Sequence, residues 1–253
     1  MAILWSILWG LITPAVMVLT IQYYLPRLYL RAQKSNSEAP EHSGEKDAEL
    51  ADTNASEKKD LQKYTCKSIL LKNKWVRLGL LVCATVFAVL CGYAAGDFGT
   101  STLGQLKMTI TFAVLACVFI TDLELFLIPN MCSLMLLGSR VLLILAELIW
   151  ARDSVVANLI DSAAALGVSL FVLLIMALLT RGGIGMGDVK LFSCIGFMCG
   201  FRAVCYTLIM ALLACALTST LCLLTRKKGL KDSLPLGPFI LIGFGTSVLL
   251  TLI

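Results

Sequence analysis

Charge is scarce in this 253-residue chain. Asp, Glu, Lys and Arg make up 15% of it, where a water-soluble domain carries about a quarter. Histidine occurs once, as His42, and the ten cysteines include no Cys-x-x-Cys pair. The first shortage excludes a soluble globular protein of ordinary make-up. The second leaves a zinc or iron–sulfur centre without its usual ligand spacing, so no metal site is expected. Nine cysteines (Cys83, Cys91, Cys117, Cys132, Cys194, Cys199, Cys205, Cys215 and Cys222) lie in or beside apolar segments. There a thiol behaves as a small hydrophobe rather than as part of a disulfide framework. A 58% hydrophobic composition likewise rules out a disordered or collagen-like chain.

What the sequence has instead is apolar length. Runs of 18 residues or more recur, each able to cross a hydrocarbon core about 30 Å thick. The first, Ile3 to Tyr24, contains Pro14 and has neither a basic lead-in nor a small-residue cleavage site, so it reads as a retained anchor. Seven more follow, at about 78–95, 104–121, 131–150, 156–179, 189–200, 203–224 and 236–253. The expected fold is all-α, a polytopic membrane bundle of about eight transmembrane helices. Residues 32–63 are dominated by Ala, Ser, Asn, Glu, Lys and Asp and cannot bury enough apolar surface to order themselves. The chain therefore divides into an N-terminal helix (1–25), a polar and flexible loop (26–77) and a membrane core (78–253).

The net charge of +5 points to the bilayer rather than to nucleic acid, because of where it sits. Residues 27–77 carry eleven Lys/Arg against eight Asp/Glu, and the stretch Thr225–Lys231 carries four more basic residues. With eight crossings both stretches fall on one side, which the positive-inside bias makes cytoplasmic. The third and fifth connections then face the cytoplasm too.

Those two connections are the unusual ones. The third reads Thr121-Asp122-Leu123-Glu124-Leu125-Phe126-Leu127-Ile128-Pro129-Asn130, with an acid at the end of an apolar run and Pro129 pushing Ile128 toward extended geometry. The fifth, Arg181-Gly182-Gly183-Ile184-Gly185-Met186-Gly187-Asp188-Val189-Lys190, has four glycines in six residues. Those glycines permit backbone angles closed to other residues and a close approach of another chain. Taken singly, Asp122 reads equally as a membrane-edge acid facing water and Asp188 as a residue of a helix start. Taken together, two carboxylates at cytoplasmic helix boundaries can share a proton. One then draws a proton from water while the other donates a hydrogen bond to a carbonyl, the arrangement for peptide hydrolysis. A transporter or channel using Asp122 and Asp188 as an ion or proton site is the competing reading, and a silent scaffold a third.

The pair D-L-E-L-F-L-I-P-N and G-I-G-M-G-D-V-K-L, followed by Leu234-Pro235-Leu236-Gly237-Pro238-Phe239, resembles the type IV prepilin peptidases, GxGD-type intramembrane aspartic proteases. The likeness covers roughly residues 104–253. It implies Asp122 and Asp188 as the catalytic pair, with Gly185 and Gly187 shaping the second acid's loop and Lys190 at the family's usual lysine. Pro129 and Glu124 fall in the first acid's loop, Glu124 either tuning Asp122, binding a basic leader or simply facing water. The resemblance also implies pilin-like precursors as substrates, cut at the cytoplasmic face of a bacterial inner membrane, with no cofactor for the peptidase step. S-adenosylmethionine would enter only if N-methylation accompanies cleavage. Many members carry a zinc-binding domain with two Cys-x-x-Cys pairs after the first helix; here that loop has only Cys66. Nothing fixes the oligomeric state. A presenilin-like enzyme fits less well, since no Tyr-Asp precedes the first site and no Pro-Ala-Leu follows the second.

Outside these stretches, Arg140 and Glu147 lie seven apart on one helix face and read as a structural pair. Asp161 reads as solvated at the outer end. Trp5, Trp9, Trp75 and Trp150 fall near segment ends, as interface anchors do.

Overall fold

A chain this apolar must satisfy its backbone inside each segment, and the helix is the form that does so in lipid without pairing to a neighbour. The computed structural model describes residues 2–30, 74–97, 102–125, 127–150, 152–179, 185–224 and 235–250. They form α1 (Ala2–Leu19), α2 (Lys74–Asp97), α3 (Thr102–Leu125) and α4 (Asn130–Trp150). After these come α5 (Arg152–Leu179), α6 (Met186–Cys199), α7 (Phe201–Leu224) and α8 (Gly237–Leu250). Helix α1 runs on through a π-helical turn (Thr20–Tyr24) and stays helical to residue 30, with Pro14 inside it.

Among the described residues five stretches are long and apolar enough to cross a membrane: Ser6–Leu30, Thr102–Leu125, Asn130–Ile149, Val155–Leu179 and Phe201–Leu221. Leu81–Gly92 and Gly237–Leu249 are shorter apolar helices. The chain is a multi-pass helical membrane protein. Large apolar side chains such as Leu134, Met135, Leu142 and Ile149 of α4 point out of the bundle, as they would into lipid. The polar loop expected to be flexible, and the basic stretch after α7, lie outside the described residues.

Two helices hold the interior. Helix α3 packs against α1, α2, α4, α6 and α8, and the short α6 against α3, α4, α5 and α7. The core of the first group is aromatic: the Phe112 ring stands 4.7 Å from Trp9, 6.2 Å from Phe87 and 6.5 Å from Phe244. Trp9 is buried and its indole N–H donates to Thr109 Oγ1 at 2.6 Å. It is therefore a core residue and not an interface anchor, because Thr109 gives its polar edge a partner inside the bundle. The side chains of Trp5, Trp75 and Trp150 lie outside the described residues. Helices α7 and α8 meet backbone to backbone at Gly243, where a Cβ would come within 2.6 Å of the Thr207 carbonyl oxygen. Close approach through a small residue is how helices gain packing in lipid, where water drives nothing together.

Helix α3 does not stop at Thr121 but continues to Leu125. Asp122 and Glu124 are thus in its last turn, and the break to α4 is only the segment around Leu127-Ile128-Pro129. Nothing in D-L-E-L opposes a helix; Pro129 ends it, and its carbonyl accepts the Cys132 N–H at 3.0 Å as α4 begins.

The opposite end of the bundle is pinned by polar contacts. Gly200 breaks α6 from α7 at φ +90°, an angle that favours glycine. Asp161 Oδ2 accepts the Phe201 N–H at 3.3 Å, so this exposed acid caps α7 and is not merely solvated. Deeper, Arg140 donates to Glu147 Oε1 at 3.0 Å and to Ser162 Oγ at 3.0 Å, and Lys107 pairs with the same Glu147. The Arg140 guanidinium also lies 6.0 Å from the centre of the Phe197 ring. The expected structural pairing of Arg140 and Glu147 is present, and it ties α3, α4, α5 and α6 together.

Candidate active site

The two singled-out acids come to the same end of the bundle on its two most central helices. Asp122, 6% exposed, sits in the last turn of α3. Its Oδ2 accepts the Gly237 N–H at 2.6 Å, and the Leu236 amide adds a second interaction. Both amides belong to the start of α8. The Leu236 carbonyl accepts the Phe239 and Ile240 N–H groups at 3.0 Å each, and Pro238 has no N–H to give. The local sequence Leu-Gly-Pro-Phe thereby leaves the Gly237 amide open, at the positive end of a helix dipole, where a carboxylate is well received.

Asp188 reaches the same region from the first turn of α6. Gly185 is the N-cap: its carbonyl accepts the Asp188 N–H at 3.0 Å and the Val189 N–H at 3.3 Å. The Asp188 carboxylate reaches back to the Gly185 N–H, one half of a capping box. Asp188 is outside the five long spans and half-buried. Its carboxyl is pushed up to about 6, first by burial and then by the charge of Asp122, against the pull of the Gly185 amide. The second cause reflects the placement of Asp122 at the same end of the bundle. Neither carboxylate has an ion-pair partner among the described residues.

The glycines serve by size, not by angle. Gly185 is at φ −67° and ψ 138°, open to any residue. A Cβ on it, however, would lie 3.0 Å from Asp188 Oδ2, and one on Gly187 would lie 3.2 Å from the Ile128 Cβ. Gly187 thus lets the start of α6 press against the Ile128-Pro129 turn, which brings the two acid-bearing stretches together. Gly182 and Gly183 lie outside the described residues. The buried Pro129 shapes that turn. Glu124 and Lys190 are each two residues from an acid on the same helix and so face a different side of it. Glu124 is half-buried, and the exposed Lys190 lines a cavity of about 370 Å³ with Asn130, Ser133, Ser193 and Cys194. A second cavity of about 370 Å³ lies between α1, α3 and α4, lined by Thr20, Tyr23, Cys117, Cys132 and Met135 among others. Among the described residues no group of three His, Cys, Asp or Glu side chains is placed to hold a metal ion.

Gly237 is the site residue that sequence reasoning placed in a motif without giving it a role. A Cβ there would stand 2.8 Å from the Asp122 Cβ. The signal available beforehand was a Gly-Pro step opening an apolar helix.

Fold and site together describe a membrane-embedded helical bundle with a paired-acid centre at one end. The model of the Type IV leader peptidase family matches residues 109–220, a span that holds both acids. A prepilin leader peptidase/N-methyltransferase of Bacillus subtilis (strain 168) is 33% identical over 184 residues, 72% of this chain and 69% of the relative. No solved structure gives a significant match. The chain belongs to the type IV leader peptidase family and is a peptidase, which sets the transporter and scaffold readings aside.

Proposed function

We propose that this protein is an aspartic endopeptidase that removes the short basic leader from pilin-like precursors at the cytoplasmic face of a bacterial inner membrane, with Asp122 and Asp188 as its acid–base pair. The observation that carries this reading is the convergence of two uncompensated acids from α3 and α6, each held by a backbone amide. In the reaction one carboxylate takes a proton from water as its oxygen attacks the scissile carbonyl carbon. The other, protonated, gives its proton to the carbonyl oxygen. The tetrahedral intermediate then collapses: the C–N bond breaks as the leaving nitrogen takes the proton from the first carboxyl, and a hydroxyl of the intermediate returns its proton to the second carboxylate as the C=O re-forms, which restores the starting pair. Gly187 and the Ile-Pro turn let the two acid-bearing stretches pack against each other.

The side of the membrane rests on charge. The basic stretches at 27–77 and 225–231 share one side with both acids if all eight helices cross. A basic leader would meet two acids there, while the precursor's apolar helix stays in the bilayer against the outward-facing side chains. The relative's name also includes N-methyltransferase. Methylation would use S-adenosylmethionine, which carries a sulfonium, an ammonium, a carboxylate and an adenine. The cavity beside α1 is lined mainly by apolar side chains, and the one beside Lys190 has no carboxylate among its described lining. Neither donor set fits that cofactor.

The test is cleavage of a pilin-like precursor by membranes holding the wild type, Asp122→Asn or Asp188→Asn. The wild type is expected to release the leader and both variants to fail. Cleavage that survives either substitution would remove the paired-acid mechanism.

A further inference from the structure

The two acids are held differently, and the difference has a chemical consequence. Asp122 is the more deeply enclosed of the two, yet it receives a 2.6 Å hydrogen bond from Gly237 with the Leu236 amide beside it, at the start of a second helix. Asp188 reaches back only to the cap of its own helix. Donors aimed at a carboxylate stabilise its charged form. Gly237 is the first residue of α8, so its N–H has no acceptor within its own helix. Nor can the contact slacken or tighten freely. With hydrogen at its α-carbon Gly237 sits close against Asp122; a Cβ would come 2.8 Å from the Asp122 Cβ and 3.0 Å from Oδ2.

We propose that Gly237 is a positioning residue that holds Asp122 as the ionised member of the pair, so that Asp122 takes the proton from water and Asp188 carries the proton given to the carbonyl. This assignment deepens the peptidase reading and rests on it. The charge of Asp122 is also one of the forces that make Asp188 hold its proton more tightly than a free carboxyl does. The first turn of α8, far along the chain from both acids, is thus what makes an otherwise symmetric pair unequal.

Two reagents tell the members apart without needing turnover. An epoxide alkylates an ionised carboxylate, and a diazoacetyl ester with copper(II) alkylates a protonated carboxyl. Full-length enzyme in detergent is treated with each near pH 6, and the adducts are mapped by mass spectrometry. The epoxide is expected on Asp122 and the diazoacetyl group on Asp188. The reverse pattern, or equal labelling of both acids by each reagent, overturns the assignment even if Gly237→Ala fails to fold. In Gly237→Ala, epoxide labelling of Asp122 should fall about tenfold or more. The same variant should lose kcat with KM nearly unchanged, and the acid limb of its pH profile should move to higher pH. Gly243→Ala crowds the same helix against α7 instead, away from the acids. It should lower stability and keep the wild-type labelling and pH profile. Loss of the labelling pattern in Gly243→Ala as well would reduce Gly237 to a packing residue. A wild type that labels as expected but cleaves no pilin-like precursor would leave the assignment standing and sink the substrate reading.

Discussion

The two ends of the bundle treat buried charge in opposite ways. At the end away from the acids, Arg140 and Lys107 share Glu147, and Ser162 and Phe197 also contact the guanidinium. At the other end, Asp122 and Asp188 are brought together with backbone amides but no cation among the described residues. Opposite charges joined between α3 and α4 hold a fold. Two acids pressed together without a cation oppose it, and they persist because the surrounding helices over-determine their positions. The cost of the second arrangement is what makes it chemically useful, since only an unequal pair can give and take a proton.

That contrast can be broken at either end. The largest effect is expected from the double variant Asp122→Asn/Asp188→Asn. Each single change should cut leader cleavage roughly 10²–10⁴-fold, and the double should be little worse than either single, because the two act as a unit. Rates from initial cleavage of a purified precursor decide it; a double loss equal to the product of the singles would mean independent acids. At the far end, Glu147→Gln removes the anion that both cations share. It should cost about 3–5 kcal/mol of stability, read as a lower midpoint in chemical denaturation. The pH profile of the enzyme that remains folded should be unchanged.

A smaller and subtler effect follows from Asp188. A carboxyl held up at about 6 in the folded chain, against an ordinary 3.8, binds its proton more tightly folded than unfolded. Its contribution to stability is therefore present below the unfolded value and is lost as pH rises through the folded one. Asp188→Asn has no charge to bury, so it should melt higher than the wild type above pH 6. The gain should be at most ~3 kcal/mol and should vanish below pH 3.8. A variant of enzyme that loses activity while gaining stability at neutral pH is the mark of a strained functional group. Equal melting curves across the range would contradict it.

Much of this was readable in the sequence, and the parts that were not share a cause. Apolar length gave away the helices, and the seven-residue spacing of Arg140 and Glu147 gave away their shared face. Asp122 and Asp188 stood out because an acid beside a long apolar run is costly. The end of α3 was misjudged at Thr121 because polarity changes there, whereas helical geometry continues until Pro129 forbids it. Trp9 looked like an anchor by position; only the packing of α1 on α3 supplies Thr109 as its partner. Gly185 and Gly187 were marked both for backbone angle and for close approach, and it is the close approach, beside Asp188 and Ile128, that the structure uses. The contact of Gly237 with Asp122 joins residues 115 apart in the chain, and no local pattern encodes it.

The central claim is that residues 122 and 188 meet. With the ten native cysteines changed to serine, the double variant Asp122→Cys/Asp188→Cys is oxidised in membranes with copper phenanthroline or treated with a short bifunctional thiol reagent. The digest is then searched for the joined peptides. The account predicts efficient joining of positions 122 and 188, and little joining when Asp161→Cys replaces either partner. No 122–188 product under either reagent would place the two acids apart and contradict the site.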